Sequence, residues 1–326
     1  MRALVTGGAG YIGSHLVRLL VDEGVHTVVL DDLSTGFADA VDRRARFVRG
    51  DIRDHALVRS LVEAEGVDAV FHFAARIRVD ESVKDPAKYY RENVAASLAL
   101  FDAILEGPAR VIVFSSTAAV YGDPDPGVVA LSEDHPKRPL NAYGESKAIL
   151  EQALGRYGEA YGLRWAALRY FNAAGAQDDG SLRERHEPET HLVPIALEVA
   201  AGERAALTVF GRDYPTRDGT CVRDYVHVTD LAAAHVAAAR HLAAGRPGGA
   251  FNLGTGRGSS VAEVVACVER VTGRPLRVVD AARRPGDASV LVAAADRAER
   301  ELGWRATRDL ETIVRDAWRA RRPRGF

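Results

Sequence analysis

The sequence predicts an α/β fold, a doubly wound parallel sheet with a smaller C-terminal lobe. Three observations carry this expectation. Short apolar runs alternate with amphipathic stretches through the first half of the chain, the pattern of parallel strands joined by right-handed helical crossovers. Those runs are apolar at nearly every position, as in strands covered on both faces. A cluster of glycines falls where the first strand should turn into the first helix. At 326 residues and 47% apolar, the chain suits one large α/β domain or two lobes and is too apolar for disorder.

The elements follow in order. "RALVTG" reads as a strand, "YIGSHLVRLLVDEG" as a helix and "HTVVLDD" as a second strand. "ARFVRGD", "DAVFHFAA" and "ARVIVFSS" are further strands, with helical patterns at 54–65 and 86–105 between them. A helix over 143–160 then leads into the strand "WAALRYFNAAG". Beyond about residue 175 the pattern turns irregular. Residues 176–190 and 211–224 read as polar, glycine-containing loops, with short helices at 192–201, 229–243, 261–272 and 309–320. This divides the chain into a nucleotide-binding domain of the Rossmann type at 1–175 and a mainly substrate-binding lobe at 176–326. Some segments of the second part are allowed to return to the first sheet. The arginine-rich end "RARRPRGF" reads as solvated and frayed.

Composition excludes several functions. A formal charge of −2 gives no general attraction to nucleic acid or to an acidic membrane. Cys221 and Cys267 are far apart and form no metal-binding spacing, and no metal is expected. Their pattern suits a reducing compartment. The chain opens directly on a strand pattern, with no basic segment ahead of a long apolar run, and no stretch has the length of a membrane span. A soluble cytoplasmic protein is expected.

The strongest local motif is "VTGGAGYIGSHL", with glycines at 7, 8, 10 and 13 between strand and helix. Glycine permits the tight turn and lets backbone approach a pyrophosphate, and the helix N-terminus offers unpaired N–H groups. Asp31 stands 18 residues after Gly13, at the end of the second strand. A carboxylate there accepts from ribose hydroxyls and repels a 2′-phosphate, which favours NAD over NADP. Asp32 competes for that role. Asp51, after the third strand, is placed to accept from an adenine amino group.

"VFSSTAAVYG" puts Ser115, Ser116 and Thr117 at the C-terminal end of a parallel strand, the edge where open α/β sheets bind ligands. Any one of these hydroxyls is also accounted for by loop backbone contacts. "NAYGESKAILE" then places Tyr143 four residues before Lys147, on one helix face. The pair is either a proton-transfer couple or two ordinary residues on a solvated face, since a phenol with a pKa near ~10 is a poor base unless its anion is stabilised.

In this order, the cradle, the strand-end Ser/Thr and Tyr-x-x-x-Lys resemble the extended short-chain dehydrogenase/reductases. "GAGYIGSH", "RYFNAAGA" and "GRDYPTRDGTCVRDYVHVTDL" are similar, more narrowly, to the UDP-glucose 4-epimerase family, over about residues 2 to 318. The resemblance implies Tyr143 as base and acid at the sugar 4-hydroxyl, Lys147 on the nicotinamide ribose and beside the phenolate, and Thr117 at the same oxygen. It implies an NAD site of Gly7, Gly10, Tyr11, Ile12, Gly13, Asp31, Asp51, Ile52, Phe73, Ala74, Ala75, Ser115, Tyr143, Lys147 and Phe171. A UDP-sugar would meet Thr117, Tyr143, Asn172, His191, Leu192, Arg223, Arg284, Asp287 and Leu291. The two arginines suit a diphosphate.

Three features mark the chain. Ala118 and Ala119 stand where related dehydratases and decarboxylases carry an acid. His191 replaces a frequent asparagine, and Arg76–Ile77 follows "HFAA". Leu291, beside the sugar 2-substituent in the family, is intermediate between a large tyrosine and a small residue, or is merely core. UDP-glucose and UDP-galactose are the first choice of substrate, and an N-acetylated UDP-sugar the alternative. A catalytically silent NAD-sensing protein is the rival from another class. By family analogy the helices near 86–105 and 143–160 would meet their copies in a homodimer.

Overall fold

The computed structural model describes residues 1–125, 127–284 and 287–321; the last five residues of the arginine-rich end lie outside them. The first half alternates as expected: β1 (Arg2–Thr6), α1 (Tyr11–Asp22), β2 (His26–Asp31), β3 (Arg46–Arg49), α2 (His55–Ala64) and β4 (Ala69–His72). A short α3 (Val79–Lys84) precedes α4 (Pro86–Tyr89), which passes through a π-helical turn at Tyr90–Ala95 into α5 (Ala96–Leu105). Then come β5 (Val111–Thr117), α6 (Ala142–Tyr161) and β6 (Arg164–Tyr170).

The second half holds more strand than its sequence suggests. Its elements are β7 (Asn172–Ala174), α7 (Leu192–Ala201), β8 (Leu207–Phe210), β9 (Val222–His227), α8 (Val228–Ala243), β10 (Gly249–Leu253), β11 (Gly258–Ser260), α9 (Val261–Thr272), β12 (Val278–Ala281), β13 (Val290–Leu291) and α10 (Leu310–Arg321). These strands are two to six residues long, too short for a period-2 pattern to stand out.

Seven parallel strands form the main sheet in the order β10-β6-β5-β4-β1-β2-β3. The chain runs outward from β1 to β3, then restarts at β4 on the other side of β1. That reversal opens a crevice at the C-terminal ends of β1 and β4, the standard ligand site of such sheets. Side chains alternate across the sheet: Val5, Phe71 and Val113 face the layer of α1 and α8, while Leu4, Val70, Ile112 and Phe114 face that of α2, α5 and α6. β10 and α8 come from beyond residue 175 yet belong to this body, β10 as its edge strand beside β6. The remaining strands build small sheets around β9 and between β8 and β12, packed with α7, α9 and α10 over a separate apolar cluster.

Local chemistry fixes the helix ends. Asp54 accepts from Leu57 N–H at the start of α2, and Asn141 from Gly144 N–H at the start of α6. Ser260 and Glu263 form a reciprocal capping box on α9. Buried Asp224 of β9 accepts from the amides of Thr255, Gly256 and Ala293, and so ties the lobe to the loop that leaves β10.

Candidate active site

The crevice begins with the glycines. Gly7 has φ 71°, and a Cβ on it would lie 2.6 Å from the Ala74 nitrogen beyond β4. A Cβ on Gly13 would lie 2.3 Å from the Gly7 carbonyl. Both positions therefore require glycine for close backbone approach. Gly10 caps α1 without a side-chain hydrogen bond, so the first N–H groups of α1 are left to a ligand. This cradle fits a dinucleotide pyrophosphate.

Asp31 ends β2 with its carboxylate accepting from Ala9 N–H at 2.9 Å and Leu33 N–H at 2.8 Å. Burial pushes its pKa up, and those two amides oppose the shift. It shapes the cradle loop as well as facing the crevice. Asp32 is exposed and accepts from Ser34 N–H in a turn. Asp51 is paired with Arg53 through both carboxylate oxygens, and that guanidinium lowers its pKa, so an adenine amino group would have to share it. Ile52 is buried against the α2 face of the sheet, and Ile12 packs on the opposite one. Phe73 and Ala74 line the end of β4, Phe73 with its ring 4.6 Å from that of His235, and Ala75 follows, half-buried. The Tyr11 hydroxyl is committed to the Gly175 carbonyl at 2.7 Å, which makes Tyr11 a brace between cradle and lobe.

Across the crevice, α6 presents Tyr143, Lys147 and Glu151 at successive i+4 positions on one face. Lys147 is 2% exposed. Its ammonium donates to the Ser115 carbonyl at 2.8 Å and lies 4.7 Å from the centre of the Phe114 ring. Burial pushes its pKa down to about 7, against the pull of Glu151. Tyr143 is half-buried. Desolvation raises its pKa, with the Thr117 hydroxyl working in the other direction. Lys147 is thus hydrogen-bonded to β5, and in the protein alone burial leaves Tyr143 less acidic than a free phenol. Thr117, at the end of β5, is the group whose hydroxyl acts on the Tyr143 phenol.

A buried network behind this pair escaped the sequence. Glu151 takes a forked pair from Arg169, at 2.9 and 2.7 Å, and a hydrogen bond from Ser116 at 2.6 Å. Arg169 also donates to the Tyr121 hydroxyl, which donates to Asn252 at 2.7 Å. The network joins α6, β5, β6 and β10 and holds the Tyr143–Lys147 face in place. Asn93 of the π-helical turn is similarly hidden. Its amide receives Arg76 N–H at 2.7 Å and donates to the Arg76 carbonyl and the Ser146 hydroxyl, which fixes the departure point after β4. Glu151 lies at i+4 from Lys147, the one signal that would have found it.

Phe171 and Leu291 pack on the same apolar cluster of Ala118, Val120 and Leu131. Leu291 is registered opposite Arg223 on β9, and Arg223 faces Asp287 at 3.4 Å. Arg284 stacks over the Phe210 ring at 3.9 Å, and its carbonyl accepts from Asp287 N–H. Asn172 opens β7 opposite Tyr225, and Leu192 starts α7. His191 presents one ring edge to the protein. Its Nδ1 lies 2.9 Å from Glu184 and 3.2 Å from Glu189, beside His186, so this edge of the ring is turned to a side-chain cluster.

A doubly wound sheet, a glycine cradle at its switch point and a Tyr–Lys helix face across the same edge together define a dinucleotide-dependent enzyme. The profile of the NAD dependent epimerase/dehydratase family matches residues 3–254, and the chain belongs to that family. It is 47% identical to a UDP-glucose 4-epimerase of Lacticaseibacillus casei, with 100% of this chain and 99% of that protein aligned. The crystal structure of a UDP-glucose 4-epimerase from Brucella ovis in complex with NAD superposes with a TM-score of 0.94 at 49% identity, covering 98% of this chain and 97% of the other. A UDP-Glc/GlcNAc 4-epimerase from Campylobacter jejuni gives 0.85 at 40%, covering 98% of each.

Proposed function

We propose that this chain is an NAD-dependent UDP-sugar 4-epimerase that interconverts UDP-glucose and UDP-galactose through a 4-keto sugar, as an enzyme of galactose metabolism. The observation that carries this is the Thr117 hydroxyl at the end of β5 acting on the Tyr143 phenol, with Lys147 one turn along α6 and the glycine cradle on the same sheet edge. The cradle, Asp31 and Lys147 would hold NAD. When bound, NAD supplies an acceptor that takes hydrogen from C4 of the sugar and returns it, so no outside oxidant is consumed.

The chain's own residues do the rest. Tyr143 takes the proton of the 4-hydroxyl and gives it back, with Thr117 on the same oxygen. Its phenol is held neutral by burial in the protein alone, so its acidity depends on positive charge arriving with the cofactor beside the Lys147 ammonium. Arg223 and Arg284 hold the diphosphate, with Asp287, Asn172 and Leu192 around the rest of the nucleotide sugar. Ala118 and Ala119 offer no acid for elimination of water.

The assay is conversion of UDP-galactose to UDP-glucose by the purified protein, followed by NMR. Tyr143→Phe should lower turnover about 10²–10⁴-fold while NAD remains bound; unchanged turnover would refute the role of the phenol. UDP-N-acetylgalactosamine belongs in the same assay, because Leu291 closes the sugar side with a side chain of middle size beside Phe171. We further propose a cytoplasmic homodimer. Cys221 and Cys267 are free thiols, as a reducing compartment keeps them. Leu140 and Tyr161, at the two ends of α6, are 52% and 61% exposed. Light scattering should return twice the chain mass. No helix among the described residues is long and apolar enough to cross a membrane.

A further inference from the structure

The polar segment before α7 is built around a convergent set of donors. Glu184, His186, Glu189 and His191 alternate as E-x-H-x-x-E-x-H, and one ligand atom from each lies within 4.8 Å of all the others. His191 Nδ1 is 2.9 Å from Glu184 Oε1 and 3.2 Å from Glu189 Oε1. His186 Nδ1 is 3.4 Å from Glu184 Oε1 and 3.5 Å from Glu189 Oε2. Both carboxylates are withdrawn from water, with side chains 6% and 7% exposed.

We propose that these four side chains form a structural site for a divalent transition-metal ion of the zinc type. As metal ligands the two imidazoles would be neutral, leaving the two buried carboxylates with the charge that a divalent cation cancels. Nitrogen and oxygen ligands sit about 2.0–2.1 Å from zinc, so the edges of their tetrahedron are roughly 3.3 Å. Three of the separations, at 3.2–3.5 Å, lie near that value, with Glu189 offering a different oxygen to each histidine. These three are longer than an ordinary charged N–H···O bond of about 2.7–2.9 Å, and His186 Nδ1 is buried with no hydrogen-bond partner. Ion pairing at 3.4 and 3.5 Å is the only contact that nitrogen has with the two carboxylates; a ligand role would draw it to a common centre with them. Four protein ligands close the coordination sphere, which marks a structural rather than a catalytic ion.

The site has a place in the architecture. The His186 ring stands edge-on to Tyr11 at 6.3 Å, and Tyr11 begins α1 at the cradle. Next in sequence, Arg185 stacks over Phe37 at 3.8 Å and pairs with Asp39. The ion would clamp the segment ahead of α7 onto the dinucleotide-binding body, with His191 at the N-terminus of the helix.

The test reads metal rather than turnover, so it stands apart from the proposed reaction. Protein stripped with a chelator is dialysed against zinc alone, desalted and analysed for metal. One ion per chain is expected, with a rise in Tm, and cobalt in its place should give the visible absorption of a tetrahedral site. His186→Asn and Glu189→Gln should each lose the retained ion. If the unmutated protein keeps no stoichiometric zinc and shows no cobalt band, the site does not exist. If both variants keep it equally, the ion sits elsewhere. Should either variant fail to fold, the stoichiometry and cobalt spectrum of the unmutated chain still decide.

Discussion

Lys147 is an amine held in a place that disfavours its charge. Its folded pKa is about 7, and it is 2% exposed; in the unfolded chain a lysine titrates near ~10.4. Between those values the unfolded chain binds a proton that the folded protein has released, so this residue makes stability rise with pH from about 7 to about 10. Lys147→Met removes that term. At pH 7 the variant should gain on the order of 1–3 kcal/mol, after the loss of the hydrogen bond to the Ser115 carbonyl is set against the relieved burial of charge. Its stability should also depend less on pH than the wild type's across that window, while activity is lost. Urea unfolding at both ends of the window measures this, and an equal pH dependence in the two proteins would contradict it. At the same scale the sequence located Tyr143, Lys147 and the cradle glycines, because i+4 spacing and tight turns are local properties. It did not place the lysine's hydrogen bond, which depends on where β5 ends.

Between elements, the close approach of α6 to the turn after β5 sets where Tyr143 lies relative to Thr117. Gly144 is the contact. A Cβ there would lie 2.6 Å from the Ala119 carbonyl, inside the Thr117 to Val120 turn that carries the site hydroxyl. Gly144→Ala should push the helix off that turn, cost about 1–3 kcal/mol by overpacking, and lower kcat because Tyr143 is the adjacent residue. Helical circular dichroism should be retained; full kcat with a retained fold would show that the approach has slack. The helix itself was legible from its pattern; the Asn141 cap is seen in the structure. Its seating was not, because Glu151, Arg169, Tyr121 and Asn252 come from distant parts of the chain and look individually unremarkable in sequence. The donor set at Glu184–His191 is a different case: its spacing stands in the sequence, but it reads as a loop until the backbone turns the four side chains inward.

For the molecule as a whole, four buried histidines decide the response to acid. Burial lowers the pKa of His15, His227 and His235 to about 4 and of His72 to about 3. Unfolded histidines bind protons near pH ~6.5. Below that value the unfolded chain takes up protons that the folded one refuses, so stability falls as pH drops from about 6.5 toward 4. His235 illustrates the cause: it bridges the Tyr170 hydroxyl at 2.6 Å and the Leu231 carbonyl at 2.8 Å inside the α8 layer. The urea midpoint should decline across this range, and His235→Gln should make the decline shallower. A midpoint that stays constant down to about pH 5 would overturn the assignment.

By itself the sequence determined the doubly wound architecture, the crevice-side glycines, the carboxylate at Asp31 and the Tyr–Lys face, since each is written in patterns a few residues long. The tertiary structure alone decided that β10 and α8 return to the main sheet, that Lys147 bonds to Ser115, that His191 turns to Glu184 and Glu189, and that a buried network locks α6. Those outcomes depend on which distant segments come into contact, and burial sets their hydrogen bonds and charges only once the chain has closed around them.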